Sequence, residues 1–147
     1  MSGGGSSRLS IAGDAQFGDA STDAASQLTG LSVSGATDIY AGSIATAGPQ
    51  LYSGAVTLHS DAALVADSGD VTFAAAVDGA FALSVDSSGL PTFAAVVGGT
   101  IPLAGLATLG GGTTAVNGGL VRTAGLQSYD DAVTLGADAV FVNDAGA

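Results

Sequence analysis

Between Val71 and Val85 the chain alternates. Odd positions read Val, Phe, Ala, Val, Gly, Phe, Leu, Val, and even positions read Thr, Ala, Ala, Asp, Ala, Ala, Ser. Period two is what a half-buried strand requires, because successive side chains point to opposite faces. The pattern breaks only at Asp78-Gly79, a turn dipeptide. Val56, Leu58, Ala62 and Leu64 repeat the alternation, which ends at Asp67-Ser68-Gly69-Asp70. No segment carries a 3.6-residue period. The pattern predicts short strands joined by Gly or Asp corners. It places Val56, Leu58, Leu64, Val71, Phe73, Val77, Phe81, Leu83, Phe93, Val97, Ile101, Leu103, Val121, Val133 and Leu135 on the inward side.

The strands recur. Shifted by 77 residues, residues 36–69 fall on residues 113–146 with 16 of 34 positions identical, including Gly48/Gly125, Gln50/Gln127, Tyr52/Tyr129 and Val56-Thr57-Leu58/Val133-Thr134-Leu135. A shorter step of 20 overlays residues 71–85 on 91–105 and continues toward 126, aligning Gly79, Gly99 and Gly119 and also Phe81, Ile101 and Val121. The long unit divides into steps of 15, 20, 20 and 22, marked by Val56, Val71, Pro91, Gly111 and Val133. Residues 8–147 therefore read as one β-solenoid repeat domain: 8–35 a diverged preceding unit, 36–112 one super-repeat, 113–147 the start of the next. Met1–Ser7 lacks the basic and apolar regions of a signal peptide and reads as a tag remnant outside the fold. Stacking like on like explains why each position keeps its residue type from step to step, which favours a parallel β-solenoid. The alternative is an antiparallel β-sandwich or barrel, which needs no such identity.

Composition sharpens this. All thirteen acids are Asp, Glu and Lys are absent, and the only bases are Arg8 and Arg122. Asp favours turns and caps over helix interiors, and 24 glycines argue the same way. The fold class expected is all-β. A net charge of −11 disfavours nucleic acid, whose phosphates need Lys and Arg, and equally an anionic membrane surface. No stretch reaches the length of a membrane span. The absence of cysteine excludes disulfides and thiolate metal sites.

The repeats GGTIPLAGLATLGGGTTAVNGG and TAGLQSYDDAVTLGADA resemble those of filamentous-haemagglutinin-like and autotransporter-type surface adhesins of Gram-negative bacteria. The resemblance runs from about Leu28 onward. It implies a right-handed parallel β-helix serving as a stalk at the bacterial cell surface or outside the cell. It also implies an outer-membrane export pore and a host surface glycan or protein as partners of the parent molecule.

Candidate chemistry is sparse. His59 is the single histidine, predicted to face outward, and its counterpart in the second unit is Gly136, so the scaffold does not require it. Asp130-Asp131 with Arg122 upstream is the best acidic cluster for acid–base work, and a turn explains it equally. Calcium would want carboxylate oxygens such as those of Asp67, Asp70 and Asp144, yet neither the nonapeptide of calcium-binding β-rolls nor an EF-hand loop is present. Gly110-Gly111-Gly112 opens no helix and so makes no phosphate loop. Tyr52 and Tyr129 are equivalent across units, which suggests packing; Tyr40 stands alone. No catalytic, cofactor or metal residue is assigned, and no enzyme activity is expected. The reading is a structural stalk or display segment. A glycan- or protein-binding adhesive module and a self-assembling fibre subunit, associating end to end through free strand edges, are the alternatives.

Overall fold

A computed structural model describes residues 7–145. The strands stack in coils about 21 residues apart, all in parallel, with no helix among the described residues. Each coil visits three faces in turn. The first comprises β1 (Ser7–Ile11), β2 (Ala15–Phe17) and the opening half of β3 (Ala24–Val33). The second takes the closing half of β3, then β4 (Thr37–Ile39) and β5 (Ser43–Thr46). The third is β6 (Gln50–Tyr52), β7 (Val56–Leu58) and β8 (Ala62–Ala66), and the fourth β9 (Val71–Phe73), β10 (Val77–Asp78) and β11 (Ala82–Ser87). The fifth has β12 (Pro91–Phe93), a bridge at Val97 and β13 (Gly105–Leu109). The sixth has β14 (Thr113–Val116), β15 (Leu120–Thr123) and β16 (Gln127–Tyr129), and β17 (Ala132–Leu135) and β18 (Val140–Asn143) lie on top.

Parallel pairing puts like on like. On the first face Ile11, Val33, Tyr52, Phe73, Phe93, Val116 and Leu135 form one inward column. On the second the column is Ala15, Thr37, Val56, Val77, Val97, Val121 and Phe141. On the third it is Ala25, Ile44, Leu64, Val85, Thr108 and Tyr129. The antiparallel alternative is thereby excluded. In the first column Tyr52, Phe73 and Phe93 stack with centroids 5.4 and 5.2 Å apart and planes within 9°. Such offset aromatic pairs contribute about 0.5–1.5 kcal/mol each beyond their buried area. A corner must also let neighbouring backbones touch. At Gly98 (φ 69°) and Gly110 (φ 112°) the backbone is left-handed and an added Cβ would run into the carbonyls of Arg122 and Ser87, so only glycine fits.

Eleven of the fifteen expected core positions are buried, and four are not. Phe81 and Ile101 are 36% and 44% exposed. The chain leaves β10 through Gly79, whose carbonyl accepts from the Phe81 N–H at 2.8 Å. Residues 79–81 are thus spent in a tight turn, and the alternation restarts at Leu83 with Phe81 left on the corner. Ile101 occupies the matching corner of the next coil. Val133 and Leu135 keep their inward register in β17 but are exposed because no described strand covers them.

Two features of the expected repeat are also redrawn. The strand before Val71 on its face begins at Gln50, not Val56, since Gln50 pairs with Val71 and Val56 with Val77; the 15-residue step crosses from one face to another. And the 77-residue unit is not a whole number of coils. Gln50 opens β6 on the first face, whereas Gln127 opens β16 on the third. The pairings are carried over intact: Thr37 on Val56 becomes Thr114 on Val133, and Ile44 on Leu64 becomes Val121 on Phe141. The expectation for Met1–Ser6 lies outside the described residues, and Ser7 opens β1.

Candidate functional site

The polar groups fall into three sets. The first is a corner inside the core. Gln50 is fully buried, and its amide donates to the carbonyls of Ile44 (3.2 Å) and Val65 (2.8 Å) and to Thr46 Oγ1 (3.2 Å), while its Oε1 accepts from the Tyr52 hydroxyl at 2.7 Å. Thr46 Oγ1 in turn donates to the Gly48 carbonyl at 2.6 Å. A buried amide is tolerable only when its donors and acceptor are met, and here they are. The second copy repeats the arrangement. Gln127 donates to the carbonyls of Val121 (3.3 Å) and Val142 (2.8 Å) and accepts from Tyr129 (3.1 Å), and Thr123 donates to Gly125 (2.6 Å). Burial pushes the Tyr52 phenol far above its ordinary pKa and the Tyr129 phenol up to about 12. These residues were legible as a repeated T-A-G-x-Q-x-Y string, with the hydrogen-bonding role of Gln unread.

The second set is the corner carboxylates that bind backbone. Asp14, Asp61, Asp70 and Asp78 each accept from N–H groups of the following coil: Ala36 (2.8 Å), Ala82 (2.9 Å), Leu90 (2.7 Å), and Thr100 with Ile101 (2.9 and 3.0 Å). Corner amides have no ladder partner, and an ionised acceptor makes a strong bond to them. The arm from Cβ to carboxylate is short, which suits the spacing between coils and accounts for Asp at these corners. Asp23 caps its own turn, and the N–H groups of Asp19 and Ala20 hold its carboxyl below the usual range.

The Asp130-Asp131 pair is split by the same logic. Asp131 is buried and accepts from the Gly111 N–H (2.8 Å) and Thr114 Oγ1 (3.3 Å), whereas Asp130 faces solvent. Arg122 donates through Nε to Asp144 of the next coil at 2.8 Å. Among the described residues no three His, Cys, Asp or Glu side chains converge as a metal cage would; Asp70 serves the backbone and Asp144 serves Arg122. Gly110-Gly111-Gly112 forms the corner between β13 and β14.

The third set is a half-buried surface cluster with mixed chemistry. His59 lies flat on Tyr40, centroids 4.2 Å apart and planes 5° apart, and its Nε2 is 2.8 Å from Asp38 Oδ1. The three residues come from adjacent coils, so spacings of 19 and 21 residues become direct contact. Their counterparts in the second unit are Ala115, Asn117 and Gly136. The scaffold therefore does without this cluster, unlike the Gln corner.

The outer side of the third face is flat and nearly featureless. Ala63, Ser84, Ala107 and Ser128 line a shallow groove of about 360 Å³ beside the exposed Leu126. No helix among the described residues is long and apolar enough to cross a membrane. No family model matches the chain, and no curated protein or solved structure matches it either.

Proposed function

We propose that the chain is a structural stalk or display segment of an exported bacterial surface adhesin, and not an enzyme. One observation carries the reading: four corner carboxylates, Asp14, Asp61, Asp70 and Asp78, are engaged by the amides of the neighbouring coil and so serve the stacking of the coils. What such a molecule offers is length and stiffness, since each coil adds one strand spacing, about 4.8 Å. Deleting residues 71–90 removes one coil in register, because Pro91 then takes the place of Val71. The shortened chain should still melt cooperatively and lose about 4.8 Å in maximum dimension by small-angle scattering. Antibody against the chain should label intact producing cells. Labelling only after lysis, or a polysaccharide shortened by the intact protein but not by Asp130→Ala, would overturn the proposal.

A second reading is favoured by the Tyr40–His59 stack beside Asp38. A half-exposed pair of stacked rings next to a carboxylate suits a sugar, whose C–H groups pack on the rings while its hydroxyls donate to the carboxylate. On that reading the segment is itself adhesive. Saturation-transfer NMR against a glycan panel should then give a signal that Tyr40→Ala removes, and no signal from any glycan would discard it.

A further inference from the structure

Where the first unit has Tyr40-Ala41, the second has Asn117-Gly118. The pair turns the corner between β14 and β15, and both neighbouring coils are present there. Gly118 runs against the backbone of the coil below, where an added Cβ would strike the Ala95 carbonyl, so position 118 has to be glycine. Asn117 is exposed, and its Oδ1 lies against Gly136 of the coil above. Its own N–H donates to the Phe93 carbonyl at 2.9 Å. One residue later the ladder lapses. Among the described residues neither the Asn117 carboxamide nor the Gly118 N–H has a hydrogen-bond partner. A main-chain nitrogen that no ladder holds, following a side-chain carboxamide and carrying no Cβ of its own residue to obstruct it, can reach that carboxamide.

We propose that Asn117 is a site of spontaneous modification, converted within the folded protein to a mixture of aspartate and isoaspartate. The Gly118 nitrogen gives up its proton to hydroxide and attacks Asn117 Cγ. The N–Cγ bond forms, the Cγ–Nδ2 bond breaks, and ammonia leaves with a proton from water. Water then opens the five-membered imide: at Cγ it restores the ordinary backbone with aspartate, and at the main-chain carbonyl it leaves an isoaspartyl link. No oxidant or reductant is needed. The same ring could form at two other places, and both are held shut. Asn143, the only other asparagine, accepts from the Ala145 N–H at 2.9 Å, and the nitrogen that would attack it, that of Asp144, donates to the Thr123 carbonyl at 2.7 Å. Asp78-Gly79 is the one Asp-Gly pair; its carboxylate accepts from Thr100 and Ile101 at 2.9 and 3.0 Å, and the Gly79 N–H points to the Ile101 carbonyl at 3.4 Å. Conversion at 117 adds a negative charge to a surface that already carries −11. The isoaspartyl product also lengthens the main chain by one carbon at a corner that Ala95 and Gly136 close from below and above.

Ageing the purified chain at mildly alkaline pH tests this, in parallel native and urea-unfolded samples, with peptide mapping by mass spectrometry, enzymatic isoaspartate labelling and ammonia release as readouts. In the native sample Asn117 should be lost at a rate close to that in the unfolded one, in proportion to hydroxide concentration, with one ammonia released per residue lost. Asn143 should outlast it in the native sample, and Asp78 should gain no isoaspartate there. Asn117→Gln, whose longer arm would need a six-membered ring, should keep its charge on anion exchange and release no ammonia over the same period. A native sample that keeps Asn117 while the unfolded one loses it overturns the proposal, because the corner would then hold the pair out of reach. So does ammonia released unchanged from Asn117→Gln, or native loss that begins at Asn143.

Discussion

Gln50 and Gln127 open strands of nearly the same sequence and make matching hydrogen bonds, yet one corner is sealed and the other half open. Gln50-Leu51-Tyr52 is covered by Val71-Thr72-Phe73, with Phe73 stacked on Tyr52. Gln127-Ser128-Tyr129 has no described strand above it. The hydrogen bonds therefore join the local string to a carbonyl fifteen residues on, Val65 or Val142, while burial is conferred by the strand stacked above. This is how a one-dimensional stack behaves, its stability being intrinsic terms plus nearest-neighbour contacts.

The sharpest way to break the comparison is to remove the cover. Phe73→Ala should cost about 3–5 kcal/mol, since it empties a fully buried site between two stacked rings. Phe141→Ala, at an open position, should cost about 1 kcal/mol or less. Chemical denaturation of both variants decides it, and equal losses would mean that the upper end is covered after all.

Next in size is the amide itself. Gln50→Ala leaves the buried Tyr52 hydroxyl without its acceptor and removes the amide donors to two carbonyls, at about 1–3 kcal/mol. Gln127→Ala should cost less than half as much, because water reaches that corner. The difference between the two melting shifts is the measurement.

Titration separates the corners in another way. Both phenols have a folded pKa above the unfolded value near 10. Folding thus favours the protonated form, so the stability they contribute is complete below about pH 10 and declines above it. For Tyr129 the decline ends near its folded value of about 12; for Tyr52 it continues beyond. Each pH unit costs up to about 1.4 kcal/mol for the fully buried Tyr52, and less for the half-open Tyr129, which solvent screens. Between pH 10 and 11 Tyr52→Phe and Tyr129→Phe should make the slope shallower by similar amounts; as the pH nears about 12 the effect of Tyr129→Phe should fade while that of Tyr52→Phe persists.

The smallest effect has the opposite sign. Thr37 is buried with its hydroxyl unpartnered, while its counterpart Thr114 donates to Asp131, a position held by Gly54 in the first unit. Thr37→Val should stabilise by about 1 kcal/mol, as it removes an unmet buried donor at constant shape. Thr114→Val should destabilise. A scan in which both shift the same way would contradict the pairing.

The parallel stack was legible because Phe73 and Phe93, 20 residues apart, fill the same place, and the structure puts one ring on the other. What escaped has identifiable causes. Phe81 and Ile101 share the alternation of their neighbours, but a turn carries no inside or outside, so period two does not extend through it. Leu135 has an inward register and no cover, which depends on an adjacent strand and not on its own residue type. Asp38, Tyr40 and His59 look unrelated until the coil length is known. The candidate pair Asp130-Asp131 looked like one unit because the residues are adjacent, and adjacency in a strand-like segment sends side chains to opposite sides.

The corner that recurs 77 residues later recurs on a different face, and this changes what repetition would display. Coil after coil, a residue keeps its compass bearing; unit after unit, it does not. From β6 to β16, counting the bridge at Val97 as one position, the chain takes eleven steps from face to face, one short of four full turns. Any surface mark written into the unit, were the unit iterated, would point in three directions in succession and return to the first only on the fourth copy. Such a filament would be sticky all the way round from a single patch per unit, whereas a unit of whole coils would line its marks along one side.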